Sequence, residues 1–206
     1  KLNIVLEQRL GAPFRGYHVL PGGPLRRGES PDEAAARIMC RSVKPDLGRV
    51  QQLHTYGDTA RDPRGHVLSV AYLGLAEPNQ LLSLPPNTQL YPLQLPTLAE
   101  AATGERVRIT SPAGRPLQLG FDHRDMVEDA LKRLRSRIFQ SDLSFAMLGP
   151  EFTLRELRLL HETVLDTKIN KDNFRRKIIA TGRLQETGTR QVHVGYRPAK
   201  LYRVIG

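Results

Sequence analysis

Cysteine is nearly absent from this chain of 206 residues: Cys40 stands alone. A lone thiol excludes an internal disulfide and any multi-cysteine zinc site. It fits a reducing cytoplasm, which is the expected location. Long apolar runs are missing as well. No stretch approaches the roughly 18 residues that a membrane-spanning helix needs, so no membrane partner is expected. No secretory signal stands at Lys1. The chain opens instead on Leu2 to Gln8, an apolar and β-branched run that reads as a strand, and an earlier strand is expected to precede it. Acidic residues are in the minority: 21 Asp and Glu against 31 Lys and Arg, a net charge of +10.

That charge is uneven. Residues 151–206 hold 12 Lys and Arg against 6 Asp and Glu, or +6, while the first 150 residues hold 19 against 15, or +4. An acidic partner such as nucleic acid is the physical reading of the tail, and a merely solvated surface is the alternative.

Local signals divide the chain near residue 140. Ser30, Pro31 and Glu33 form a helix start with a capping box, and that helix runs through Met39 and ends before Pro45. Strands are expected at Val50 to Tyr56 and Val67 to Leu75. Glu77 to Pro96 is rich in Pro, Asn and Gln and reads mostly as loop. A small hairpin is expected around Ser111 to Gly114. Asp122 to Phe139 carries Met126, Val127, Ala130, Leu131, Leu134 and Ile138 at helical spacing, as a connector would. Gly149-Pro150 breaks that pattern. Thr153 and Glu156 then start a second helix to Leu165, with Leu154, Leu157, Leu160, His161 and Val164 inward. Asn170 caps a third, which Gly182 stops. Leu184 to Glu186 and Lys200 to Val204 read as short strands around a basic loop. The resulting domains are 1–140 and 141–206.

Helix, short turn, helix and basic hairpin is the outline of a winged helix-turn-helix. The second helix of such a pair needs a polar, cationic face. Asn170, Lys171, Asn173, Arg175, Arg176 and Lys177 supply it, while Phe174 and Ile178 point inward. Arg suits guanine edges and phosphates, and Asn suits adenine. Arg190, Arg197 and Lys200 in the hairpin suit backbone phosphates, and Thr153 joins the expected DNA-binding set.

Residues 20–43 carry the most specific signal. Leu20-Pro21-Gly22-Gly23, Glu29 and Arg37 have the spacing of the Nudix box, whose helix projects carboxylates from one face to hold Mg²⁺ beside a diphosphate. Of the box's acidic set only Glu29 remains. Ile38 follows Arg37, Arg41 and Ser42 stand where paired glutamates belong, and Lys44-Pro45 replaces the final glycine pair. An arginine in a metal ligand's place repels Mg²⁺ and can pair with a phosphate. No resident cofactor and no catalytic residue are expected.

A Nudix-like domain without metal ligands, followed by a winged helix, resembles the NrtR family of Nudix-related transcriptional regulators. Tyr56-Gly57-Asp58, Arg61 to Gly65, Val67 to Tyr72 and Gly120-Phe121-Asp122-His123 are similar to that family's first domain. Phe152-Thr153-Leu154, Phe174 to Lys177 and Arg197 to Tyr202 are similar to its second. His18, where Trp is common, and a long Glu100 to Leu119 stretch depart from it. The resemblance implies an α/β/α Nudix sandwich followed by a winged helix-turn-helix. It implies a homodimeric repressor of NAD biosynthesis or salvage genes, binding a palindromic DNA operator and released by ADP-ribose or a related metabolite. Arg9, Gly22, Gly23, Arg37, Arg61, Arg64 and His123 are the expected effector-binding residues, with Phe14 and Tyr17 able to stack on adenine. Two other readings remain: a hydrolase using noncanonical metal ligands, and a DNA-binding protein whose first domain only dimerises.

Overall fold

The computed structural model describes residues 1–42, 50–77, 81, 84–140, 142–192 and 198–205. The chain divides into two compact units, Lys1–Arg133 and Leu134–Gly206.

The first unit is built on an antiparallel sheet of strands β1 (Asn3–Gln8), β2 (His18–Val19), β5 (Thr88–Gln94) and β6 (Arg108–Ile109), in the order β2-β1-β5-β6. Strands β3 (Gln51–Tyr56) and β4 (Ser69–Leu73) pair as a separate hairpin. Alternation along β1 sets the layers. Ile4 and Leu6 share one face with Tyr91, and that face packs with Val107, Ile109, Val127 and Leu131. Val127 and Leu131 come from helix α3 (His123–Arg137). Glu7 and Thr88 pair on the other face, where the Ser42 hydroxyl of helix α1 (Pro31–Ser42) donates to Glu7 at 2.8 Å. The sheet therefore has α3 on one side and α1 on the other. The Ser30 hydroxyl and Glu33 carboxylate form the cap anticipated for α1.

Two elements correct the sequence reading. Residues 77–96, expected to be mostly loop, contain the central strand β5. Its Pro92 would ordinarily argue against a central strand. The carbonyl of Pro92 accepts from Thr110 N at 3.3 Å, so the proline nitrogen also faces the β6 side. There β6 is only two residues long and the lost donor matters least. A short helix α2 (Leu98–Ala102) was also unforeseen, although Thr97 and Glu100 close a complete capping box.

The second unit contains the end of α3, a 3-10 turn at Asp142–Met147, helices α4 (Leu154–Leu165) and α5 (Lys171–Ala180), and the hairpin β7 (Leu184–Arg190) and β8 (Lys200–Val204). Phe152 exchanges two backbone hydrogen bonds with Tyr202, at 2.8 and 3.0 Å, and adds a third short segment to the hairpin. Thr153 caps α4, Asn170 caps α5, and Gly182 ends α5 at φ +68°, a conformation that disfavours any Cβ. The core is Phe145, Phe152, Leu157, Phe174, Ile178 and Tyr202.

His161 is fully buried among Phe139 and Phe174, and neither ring nitrogen has a partner among the described residues. Burial, aided by Lys177 and Arg183, lowers its pKa from 6.5 to about 4. The folded state thus disfavours the proton that the unfolded chain accepts. This contribution is complete above pH 6.5 and is lost as pH falls toward 4. It amounts to about 3 kcal/mol at most. His161→Phe keeps the ring packing and is expected to remove that share of acid destabilisation. Thermal unfolding between pH 7.5 and 4.5 checks this: the variant's midpoint should fall less steeply than that of the parent. Parallel pH profiles would show that His161 does not titrate on unfolding.

Candidate effector site and nucleic-acid interface

In the first unit, the loop 57–67 is fastened to the start of α3 by one buried ion pair. Arg61, 8% exposed, donates from Nε and Nη2 to the two carboxylate oxygens of Asp122 at 2.7 Å each, and from Nη1 to Val67 O at 3.3 Å. Its donors are directed at protein oxygens. Arg61 therefore holds the loop.

Beside this pair sits a cluster of rings and guanidinium groups. Phe121 lies 4.8 Å from Phe14, and Phe14 lies 5.5 Å from Tyr17. Arg9 and Arg64 place their guanidinium carbons 4.9 and 5.6 Å from the Phe121 ring centre. Phe14 and Phe121 both adopt left-handed backbone, at φ +62° and +57°, which a side chain with a Cβ enters at a cost. Gly120 makes the approach possible, since a Cβ there would meet Phe14 Cβ at 3.1 Å and Val19 Cγ1 at 3.2 Å.

His123 completes the cluster. Leu20 N donates to its Nδ1 at 2.9 Å, which makes Nδ1 an acceptor and leaves the proton on Nε2. Burial is the main cause of a pKa lowered to about 4, so the ring is a neutral donor at pH 7. The sequence reading expected an effector contact of it. In the structure it fastens the Leu20 lead-in of the glycine loop.

The other expected residues divide in the same way. Arg37 donates to Glu29 at 2.7 Å and to Pro24 O at 3.1 Å. Its hydrogen bond is the main reason Glu29 is held down at about 2. Arg37 is thus a clamp on the loop ahead of α1. Arg64 donates to Asp62 at 2.6 and 2.9 Å, yet its side chain remains half exposed. Arg9 donates to Pro13 O and, at 3.3 Å, to Ala12 O while stacking on Phe121. Gly22 and Gly23 are exposed, and a Cβ on either would meet nothing nearer than 3.6 Å. Neither packing nor a left-handed φ demands glycine there.

Sequence reasoning missed Asp122 as the partner of Arg61, although it lay inside the quoted Gly120-Phe121-Asp122-His123 motif. It also missed a cleft of about 300 Å³ lined by Glu7, Arg41, Pro85, Asn87 and Thr88. Among the described residues, no group of three or more His, Cys, Asp or Glu side chains is arranged to hold a metal ion.

In the second unit, α5 buries Phe174 and Ile178 and exposes Lys171, Asn173, Arg175 and Arg176. Asn173 Oδ1 accepts from Arg176 Nη2 at 3.0 Å, so the two side chains present as one polar unit. Asn170 Oδ1 is taken by the amides of Asp172 and Asn173. Thr153 is 2% exposed and its hydroxyl serves the α4 cap, so its side chain has no free face for DNA. Lys177 turns back, with Nζ 3.8 Å from the Phe139 ring centre. Of these three, only Thr153 is buried; Asn170 and Lys177 stay exposed. On the hairpin, Arg190 is exposed and donates to Pro198 O at 3.2 Å, and Lys200 pairs with Glu186 at 2.8 Å. Arg197 lies outside the described residues.

Helix, turn, helix and basic hairpin is the geometry that a profile of the NrtR DNA-binding winged helix domain matches over residues 144–204. Over its whole length the chain is similar to the ADPR responsive transcriptional repressor NtrR of Acinetobacter baylyi: 30% identity over 205 residues, 98% of this chain and 76% of that protein. The chain belongs to the NrtR family. The crystal structure of Shewanella oneidensis NrtR complexed with a 27mer DNA superposes with a TM-score of 0.80 at 28% identity, over 100% of this chain and 87% of that one. A MutT/nudix family protein from Enterococcus faecalis shares the fold, with a TM-score of 0.79 at 24% identity over 98% of this chain and 79% of that one. The first unit is thus a Nudix-like domain and the second a DNA-binding winged helix. Part of the chain also resembles the ADP-ribose pyrophosphatase of Methanocaldococcus jannaschii, 36% identical over 74 residues, 34% of this chain and 41% of that enzyme.

Cutting the Arg61–Asp122 pair leaves a buried charge without its partner, which costs about 3 kcal/mol or more. Asp122→Ala is therefore expected to lower the urea midpoint strongly, whereas Arg15→Ala, removing an exposed side chain of the same unit, should leave it unchanged. Equal midpoints for the two variants would show that the loop is held by other contacts.

Proposed function

We propose that this NrtR-family protein represses transcription by binding a palindromic operator as a homodimer, and that ADP-ribose or a related NAD metabolite binds the Nudix-like domain and releases the DNA. The observation that carries the reading is a basic recognition helix and hairpin on the same chain as a Nudix-like domain stripped of its acidic set. The likeness to an ADPR responsive repressor over 205 residues supports it. The regulated genes would be those of NAD biosynthesis or salvage, and the protein would act in the cytoplasm.

Chemistry argues against hydrolysis. Mg²⁺ needs oxygen ligands bearing an excess of negative charge. In this domain Glu29 is spent on Arg37, and Glu7 lies 3.5 Å from Arg41. These two carboxylates are matched by two guanidiniums, so among the described residues this pair does not fit a divalent cation. The enzyme reading keeps one supporting fact, the partial likeness to an ADP-ribose pyrophosphatase.

For the effector, we assign the ring cluster of Phe14, Tyr17 and Phe121 to the base, with Arg9, Arg64 and the Nε2 proton of His123 beside it. Exposed glycines 22 and 23 would admit a phosphate close to backbone. For DNA, Asn173 and Arg176 are the base readers, while Lys171, Arg175 and Arg190 meet phosphates. Release requires only that the effector bind more tightly to an arrangement of the dimer that DNA does not fit. Helix α3, which begins at His123 and ends in the second unit, is the element through which we expect that change to pass.

Fluorescence anisotropy of a labelled operator at fixed salt tests the function. ADP-ribose should lower the bound fraction and AMP should not. Arg176→Ala should weaken operator binding about tenfold or more and lower the preference over scrambled duplex. Lys171→Ala should weaken both duplexes alike and reduce the salt slope by about one. Binding that no nucleotide alters would reduce the Nudix-like domain to a dimerisation scaffold. Cleavage of ADP-ribose to AMP and ribose 5-phosphate at ordinary Nudix rates would restore the hydrolase reading.

A further inference from the structure

Glu7 and Thr88 stand opposite one another on β1 and β5, on the face toward α1. Three facts about the cleft beside them are unexplained by the fold. The Thr88 hydroxyl, in a residue only 3% exposed, has no hydrogen-bond partner among the described residues. A buried polar group left alone is costly, and proteins rarely keep one without use. The Arg41 side chain is 57% exposed, and it is steered inward at one corner only: Nη2 donates to Gly22 O at 3.0 Å and lies 3.5 Å from Glu7. Of its five N–H groups, most have no partner among the described residues. Glu7, finally, is fixed by the Ser42 hydroxyl at 2.8 Å and lines the cleft as an acceptor.

We infer that Arg41 stands in for a bound cation, and that the cleft of Arg41, Glu7, Asn87 and Thr88 takes the ribosyl phosphate end of a nucleoside diphosphate without any metal. The inference rests on the effector reading above and names the subsite and its chemistry. The guanidinium is anchored by a backbone carbonyl and a carboxylate, both hard oxygen groups of the kind that hold a cation, and it offers a fork to phosphoryl oxygens. Asn87 and Thr88 add uncharged polar groups. Glu7 accepts from a sugar hydroxyl, which gives a use for an acid in an anion site. A volume of about 300 Å³ accommodates a phosphorylated sugar, not a whole dinucleotide, which leaves the base for the rings around Phe121.

Isothermal titration of the full chain with ADP-ribose decides the matter. The dissociation constant in EDTA should equal that in millimolar Mg²⁺. Arg41→Ala should raise it at least tenfold under both conditions, with an unchanged unfolding midpoint, and Thr88→Val should raise it several-fold. Arg41→Glu restores an excess of negative charge beside Glu7, so its electron paramagnetic resonance titration should show Mn²⁺ binding that the parent chain lacks. Binding of ADP-ribose that needs Mg²⁺, Mn²⁺ bound by the parent chain, or an Arg41→Ala variant that binds normally would each overturn the inference. No binding of ADP-ribose under either condition would overturn the effector reading itself.

Discussion

The first unit depends on one buried bidentate pair, Arg61 with Asp122. It joins two segments 61 residues apart in sequence. Asp122 is flanked by Phe121 and His123, so fixing it fixes both neighbours. Phe121 is then held in left-handed backbone against Phe14, and His123 is aimed at Leu20 N, which sets the glycine-rich lead-in to α1. Packing alone would not select this arrangement, because exposed or half-exposed rings gain little from it. A charge pair shielded from water has few alternative geometries, and it imposes its own.

Arginine is used here in three physically distinct ways. Arg37 and Arg61 are consumed by carboxylates and act as clamps. Arg9 and Arg64 lie over an aromatic ring and keep a solvent-facing edge. Arg41, Arg175 and Arg176 retain free donors. The distinction matters because a count of basic residues assigns all of them to an acidic ligand. A +10 chain overstates its ligand-facing charge, because the arginines of the first class have theirs matched by carboxylates. On the proposed reading, the same accounting separates sensor from enzyme: losing the box's acids would remove the means of holding Mg²⁺, while arginines in and beside the box would leave a binding surface for anions.

Much of this was legible in the sequence where the signal was local. The caps at Ser30, Thr153 and Asn170, the inward residues of α3, α4 and α5, and strand β8 all follow from spacing within a few residues. Strand β5 was hidden because Pro, Asn and Gln flank it and Pro92 lies inside it. Nothing local shows that the neighbouring strand ends there. Site residues were hardest. Arg61 and Arg64 lie three positions apart and look alike, yet one is buried on Asp122 and the other half exposed beside Asp62. Lys177 belongs to the cationic run of α5, but Phe139, far back in the chain, draws it away. Partners distant in sequence decide such roles, and one sequence does not display them.

Linkage offers the most direct test of a sensor that trades effector for DNA. If ADP-ribose weakens operator binding by some factor, the operator must weaken ADP-ribose binding by the same factor. Titrating ADP-ribose into the free protein and into the protein saturated with operator, at one salt concentration, measures that factor from the effector's side. The account predicts that the affinity for ADP-ribose falls on the operator, by the factor found in the DNA titration. An affinity for ADP-ribose that is the same with and without operator would contradict it, because a ligand indifferent to DNA cannot release it.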